Sequence, residues 1–201
     1  MKIGFIGDVH AKWTALNSII NNSKSDMYIQ VGDFGIGFGN NPSNLPDKLK
    51  FIPGNHDNQV ECKDYSNYLG KFGYLSNLHA YFVGGALSTD KAKRIEGIDY
   101  WKDEEVNYHE ANKIIDEYSK LKPKIVITHD CPSIQRVICL PKISQADHSK
   151  SFTVKLLNEL YEIHKPEIWV HGHLHVNSIN TINKTKFVGL GELDIFTIDL
   201  N

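Results

Sequence analysis

The sequence predicts an α/β fold whose strands lie mostly parallel. Two observations carry that expectation. Short apolar runs alternate with segments of helical spacing, and several of these runs end in a glycine or a turn followed by Asp, Asn or His. Strand, helix, strand, loop, strand is the order that builds a parallel sheet with right-handed crossovers. Residues placed just past the strand ends then gather on one edge of the sheet, where α/β proteins form their sites.

Ile3–Ile6 is the first apolar run and reads as a buried strand; it ends in Gly7-Asp8-Val9-His10. Asp8 and His10 are two apart, so an extended backbone turns both to one side. Trp13, Leu16, Ile19 and Ile20 lie on one face of a helix over 13–21. A second strand, Met27–Val31, ends in Gly32-Asp33. The Gly-, Asn- and Pro-rich stretch 34–46 is a loop. Leu49–Ile52 is a third strand and leads into Gly54-Asn55-His56-Asp57, where Gly lets the chain turn sharply. These four are also ordinary turn residues. Their order suits a metal-binding Asn55, a substrate-facing His56 and an Asp57 that orients it.

Residues 58–69 are polar and aromatic and read as a weak helix, and 79–86 reads as a strand ending in Gly84-Gly85. The charged stretch 88–101 reads as a surface excursion. Residues 103–121 form a helix with Asp103 as N-cap and acids in its first turn. Ile125–Ile127 is a buried strand ending in Thr128-His129-Asp130, and 131–148, with Pro132 and Pro141, is irregular. A helix over 151–163 precedes the strand Ile168–Val170, which ends in His171-Gly172-His173-Leu174-His175. Strands over 186–190 and 194–200 close the chain. No repeat or linker divides the 201 residues, so residues 1–201 are expected to form one domain.

Composition narrows the function. The net charge is −2, and of 22 Lys and Arg only Arg94 and Arg136 are Arg. No broad nucleic-acid surface is expected from such a balance. Few bidentate phosphate clamps are available. Three scattered cysteines suit a reducing cytoplasm rather than a disulfide framework or a Cys-rich zinc site. No apolar run approaches a membrane span or a secretion signal.

Five strand ends together offer Asp8, His10, Asp33, Asn55, His129, His173 and His175. Carboxylate, amide and imidazole without thiolate suit Mn, Fe, Zn, Co or Ni. Seven ligands exceed one tetrahedral ion and fit two divalent cations bridged by a carboxylate. Such ions would sit roughly 3.5–4 Å apart, leave a positive surplus over the two carboxylates, and acidify a bridging water.

The set Asp8-x-His10, Gly32-Asp33, Gly54-Asn55-His56-Asp57, His129 and Gly172-His173-x-His175 resembles the calcineurin-like metallophosphoesterase superfamily, with every motif in the family's order. The resemblance implies two facing β-sheets flanked by helices. It implies a first metal on Asp8, His10, Asp33 and His175, and a second on Asp33, Asn55, His129 and His173, with manganese the foremost candidate in vitro. It further implies metal-bound hydroxide as nucleophile, His56 as the acid that protonates the leaving group, and Asp57 as its orienter. Substrates would be a phosphorylated small molecule, a nucleotide or a phosphoprotein, as monoester or small diester. A non-catalytic scaffold and a nuclease are the alternatives within the fold. The intact His56 speaks against the first, and the lack of room for extra DNA-binding segments against the second.

The Arg residues that serine/threonine protein phosphatases carry beside their second and third motifs are absent. Phe34-Gly35-Ile36 follows Asp33, and Pro53 precedes Gly54. Arg94, in a stretch resembling small phage and bacterial members, is the candidate substrate-binding residue; its plain alternative is a solvated loop charge. His171 reads as a packing residue. His79, His109, His148 and His164 lack motif context, although His148 could line the pocket. Trp13, Trp101 and Trp169 read as core. Cys131 and Arg136 do not form a cysteine-phosphatase loop, because four residues separate them where five are needed.

Overall fold

The structure of the protein is a computed structural model, and it describes residues 1–140 and 150–200. Three parallel strands begin it: β1 (Lys2–Ile6), β2 (Met27–Gln30) and β3 (Leu49–Phe51), with α1 (Trp13–Asn22) crossing between the first two. After the single turn α2 (Gln59–Cys62), the chain enters a second sheet. Its elements are β4 (Phe72–Leu75), β5 (Ala80–Val83), α3 (Tyr108–Leu121), β6 (Ile125–Thr128), α4 (Ser133–Cys139), α5 (Phe152–Ile163), β7 (Ile168–His171), β8 (Ser178–Ile182) and β9 (Thr185–Gly189). The last strand, β10 (Ile195–Asp199), returns to the first sheet and pairs antiparallel with β1, Phe5 facing Phe196.

The sheet orders are β10-β1-β2-β3 and β4-β5-β6-β7-β9-β8. In the larger sheet β5, β6, β7 and β9 run parallel, and β4 and β8 are antiparallel edges.

Period-two alternation makes the layers. Ile3, Phe5, Ile29 and Val31 from the first sheet meet Ala80, Phe82, Ile125, Ile127 and Val170 from the second in a buried core between the sheets. The intervening residues face outward. Tyr81, Val126, Trp169 and Phe187 pack under α3 and α5. Ile6, Tyr28 and Leu49 pack under α1 through Leu16 and Ile20. Burying each large side chain contributes about 1.5–3 kcal/mol. Two facing sheets flanked by helices is the expected architecture, and it is the one found.

Several elements differ from the sequence reading, each for a local reason. The weak helix over 58–69 shortens to α2, because Phe51 draws the later residues into pairing. Phe51 N–H donates to Asn67 O, and Leu69 N–H donates to Phe51 O, both at 3.0 Å. The helix expected from Asp103 begins at Tyr108. Asn107 caps it, and its side chain and that of Glu110 exchange hydrogen bonds with each other's backbone. Ser133–Cys139 is helical where an irregular stretch was expected, with Pro132 just ahead of its first turn, where a missing N–H costs nothing. The edge strands β4 and β8 carry no continuous apolar run and were not foreseen. The remainder of 131–148, including His148, lies in part outside the described residues.

Candidate active site

The two sheets present the carboxyl ends of their parallel strands at one end of the sandwich. β1 delivers Asp8 and His10, β2 delivers Asp33, and β3 delivers Asn55. β6 delivers His129, and β7 delivers His173 and His175. Main-chain bonds stitch these loops together. Val9 and His10 N–H both donate to Asp33 O at 2.9 Å, and Gly172 N–H donates to His129 O at 3.0 Å. The turns are tight: His10, Asp33, His173 and His175 take φ of 46°, 54°, 63° and 52°. Non-glycine residues adopt this left-handed region at a cost of about 1–3 kcal/mol each, and sites are where such strain collects. Close approach explains two glycines. A Cβ on Gly54 would strike the Asp33 carboxylate, and one on Gly172 would strike the Asp8 carboxylate.

Two groups of donor atoms result, each gathered within 4.8 Å: Asp8, His10, Asp33 and His175, and Asp33, His129 and His173. Asp33 belongs to both. Asn55 joins the second, its Oδ1 3.1 Å from His129 Nε2. All seven sequence candidates are therefore brought together.

Their hydrogen bonding leaves lone pairs turned inward. The His129 ring places Nδ1 3.0 Å from Val31 O, which requires a proton on that nitrogen. Its Nε2 is then left facing Asp33 Oδ1 at 3.2 Å. His10 and His175 set their Nε2 atoms 3.1 Å apart. Asp8 accepts the His173 N–H on Oδ1 at 3.0 Å, while its buried Oδ2 makes no hydrogen bond, with His175 Nε2 at 2.9 Å. Acceptors facing acceptors at this range repel unless positive charge lies between them. A divalent cation in each group satisfies that need, so the donor set fits the group.

Protonation without a cation shows the same demand. Burial depresses the His129 pKa, but the Asp33 carboxylate outweighs it and pushes it up to about 10. Asp33, buried against that raising effect, is held far below the usual carboxylate range by His129, His56 and His10. His175 is raised by its contact with Asp8. His173 is lowered to about 4 by burial, which the nearby Asp130 carboxylate only partly offsets.

His56 sits at the rim, its Nε2 3.9 Å from Asp33 Oδ2 and its N–H donating to Asp33 Oδ1 at 2.9 Å. Burial lowers its pKa, and the Arg94 guanidinium adds to this against the Asp33 carboxylate. The expected pairing of Asp57 with His56 is corrected by the structure. Asp57 is fully buried, and its carboxylate accepts the N–H groups of Phe34, Gly35, Ile36 and Gly54 at 2.6–3.1 Å. It ties the loops after β2 and β3 together. The ring of His56 meets Arg94 instead, Nη1 2.7 Å from Nδ1. Arg94 is not a loose loop charge, since Asp90 holds it through Nε at 2.7 Å and Nη2 at 2.8 Å. Trp101 is half-buried rather than core and donates Nε1–H to His56 O at 3.4 Å.

Asp130 and Asp90 were missed as supporting residues. Asp130 is buried, pairs with Arg136, and lies 3.9 Å from His173 Nε2. Its place directly after His129 was the only signal. His171 is buried as expected, with Nε2 3.3 Å from Gln135, and burial lowers its pKa to about 4. Cys131 is buried, and burial pushes its thiol pKa up, the opposite of a nucleophile.

The chain resembles solved structures in fold. The M. tuberculosis phosphopantetheinyl hydrolase superposes with a TM-score of 0.54 at 13% identity, over 95% of this chain and 89% of that one. A Staphylococcus aureus protein provisionally described as a 5'-nucleotidase, in complex with alpha-ketoglutarate, gives a TM-score of 0.54 at 14% identity, over 98% of this chain and 50% of that one. No protein of curated function matches the sequence. Residues 1–177 match the family model for calcineurin-like phosphoesterases. With that match and the assembled Asp and His donors, the chain belongs to the calcineurin-like phosphoesterase family, hydrolases that act on phosphoester bonds.

Proposed function

We propose that the protein is a dinuclear metal-dependent phosphoester hydrolase acting on a phosphorylated small molecule or nucleotide. Asp8, His10, Asp33 and His175 hold one divalent cation, and Asp33, Asn55, His129 and His173 hold the other. The observation that carries this reading is that the Asp33 carboxylate is common to both donor groups. The cations, with manganese the first choice in vitro, supply Lewis acidity toward the phosphoryl oxygens and lower the pKa of a bound water.

The chain's own residues do the rest. His56 donates a proton to the leaving oxygen, a step worth about 10²–10⁴ in rate. Burial and Arg94 disfavour the charged ring, against the pull of Asp33. An anionic ester bound beside it offsets Arg94 and favours the protonated form. Arg94, pinned by Asp90, supports the His56 ring and brings a positive charge to the ester. Asp57 keeps the two loops in register through its backbone bonds.

The same reading treats residues 1–201 as one domain. Its cysteines among the described residues are free thiols, which suits a cytoplasmic location. No helix among the described residues is long and apolar enough to cross a membrane. The test is hydrolysis of a mono-aryl and a bis-aryl phosphate with added Mn²⁺. Activity on at least one, lost in Asp33→Ala, is expected; an Asp33→Ala protein as active as the parent ends the proposal. The ratio of the two rates assigns monoester or diester preference.

A further inference from the structure

The loop after β2 holds an aromatic side chain in the open beside the proposed acid. Phe38 is 43% exposed, and its ring lies against that of His56, with centroids 5.9 Å apart and planes inclined at 45°. The contact extends a row that starts at the candidate metal ligands. His175 meets His10 at 5.1 Å, His10 meets His56 at 5.5 Å, and His56 meets Phe38. Phe38 is therefore the outermost ring of the row, one place beyond the group proposed to protonate the leaving oxygen.

Single exposed apolar side chains are common and need no ligand. Phe38 differs in how it is held. Gly37 and Gly39 flank it with φ of 100° and 99°, a backbone region that favours glycine. A Cβ on Gly39 would meet no atom within 4 Å, so this glycine serves the backbone angle rather than a close approach. Gly37 N–H donates to Asn41 Oδ1 at 2.9 Å, and Trp13 Nε1–H donates to Asn40 O at 2.6 Å. The loop is thus pinned on both sides of Phe38. A Cβ on Gly37 would lie 3.2 Å from the Trp101 ring, whose Nε1–H bonds His56 O, so loop and acid share one support. An apolar ring already held in place loses little freedom when a ligand covers it.

Position indicates what covers it. The group carried by the leaving oxygen must pass His56 as it runs away from the metal pocket, and the ring beyond His56 is Phe38. A flat aromatic group matches that surface, since aromatic rings attract one another at centroid separations of about 4.5–7 Å. A sugar or a short alkyl chain offers no such face. We propose that Phe38 is a specificity residue that stacks a planar aromatic part of the leaving group, a nucleobase or an aryl ring. This assignment rests on the hydrolase reading above, with His56 as the acid.

The test uses two substrate pairs. Adenosine 5'-monophosphate is compared with ribose 5-phosphate, which lacks the base, and phenyl phosphate with glycerol phosphate, which lacks the ring. For a diesterase the methyl diesters of the four replace them. The ratio of kcat/KM within each pair is measured for the Mn²⁺-loaded parent, Phe38→Ala, Phe38→Leu and Phe38→Tyr, with thermal unfolding alongside. We expect the parent to favour the aromatic member of at least one pair. We expect Phe38→Ala to lower that ratio about 10–100-fold, chiefly through KM, which is the scale of one stacked base. Phe38→Leu, apolar but not planar, should lower it too, and Phe38→Tyr should keep it. The pair that responds tells a nucleobase from an aryl ring. A parent without preference in either pair, a ratio unchanged in Phe38→Ala, or a Phe38→Leu protein that matches the parent overturns the assignment. A parent inactive on every ester, the aryl phosphates included, overturns the hydrolase reading instead, and the stacking role with it.

Discussion

Arg94 lays both terminal guanidinium nitrogens against the ring of His56, Nη1 at 2.7 Å from Nδ1 and Nη2 at 3.2 Å from Nε2. Asp90 grips the same guanidinium from behind at 2.7 and 2.8 Å. The planar fork is thus fixed before any substrate arrives, which Lys with a single ammonium does not reproduce. Arg94→Ala is expected to lower kcat/KM by about 10²-fold, the scale of one lost transition-state donor, with Mn²⁺ stoichiometry intact. Arg94→Lys should recover little of it. Full activity in either variant, measured on an aryl phosphate, would remove Arg94 from the mechanism.

Asp57 makes a different prediction from the one its place after His56 suggests. Its four N–H partners come from two loops, and Asp57→Ala leaves all of them buried without an acceptor. Orphaned donors cost about 1–3 kcal/mol each. The variant should lose at least about 3 kcal/mol of stability, read as a lower urea midpoint. A midpoint near that of the parent would contradict the bracing role.

Metal binding should expel a proton. Without a cation, His129 holds its second proton up to a pKa of about 10. A cation bound to that ring needs the nitrogen that carries it. At pH 8 about one proton should therefore be released on filling the second site, and affinity should fall as pH falls. Calorimetry in two buffers of different ionisation enthalpy measures this. A binding heat independent of buffer would refute it.

His171 should make the fold sensitive to acid. Its folded pKa of about 4 lies below the ordinary 6.5, because burial disfavours the charged ring. The unfolded chain thus binds the proton first. The stabilising effect of the neutral ring is whole above pH 6.5 and is lost as pH falls toward 4, about 3 kcal/mol in all. Urea midpoints at pH 7 and pH 5 should differ more in the parent than in His171→Leu. Equal pH dependence in the two proteins would rule out His171 as a source.

What could be read from the sequence was what strand periodicity and motif spacing encode. Ile3–Ile6 and Ile125–Ile127 are continuous apolar runs because both of their faces are buried, and Met27–Val31 is broken only by the buried Gln30, so they stood out. Their polar ends converge because parallel strands share a direction. β8 was invisible, since Ser178–Ile182 alternates at a solvent-facing edge with no apolar run. The start of α3 was misplaced because Asp103 and Asn107 both look like caps, and only Asn107 has Glu110 three residues on. The role of Asp57 was misjudged, and the contact of Arg94 with His56 went unseen, for one reason: chain neighbours are not spatial partners. Asp57 turns from His56 to backbone N–H groups, while Arg94 reaches His56 across 38 residues. Ser88 carries no motif, and only the fold brings its hydroxyl to the Asn55 amide.

In the proposed site Asp33 stands between two cations. Crystals of the protein grown with Mn²⁺, with anomalous scattering recorded at the manganese edge, test it most directly. Two anomalous peaks are expected, one on either side of the Asp33 carboxylate, the first among Asp8, His10 and His175 and the second among Asn55, His129 and His173. A single peak, or peaks away from Asp33, would contradict it.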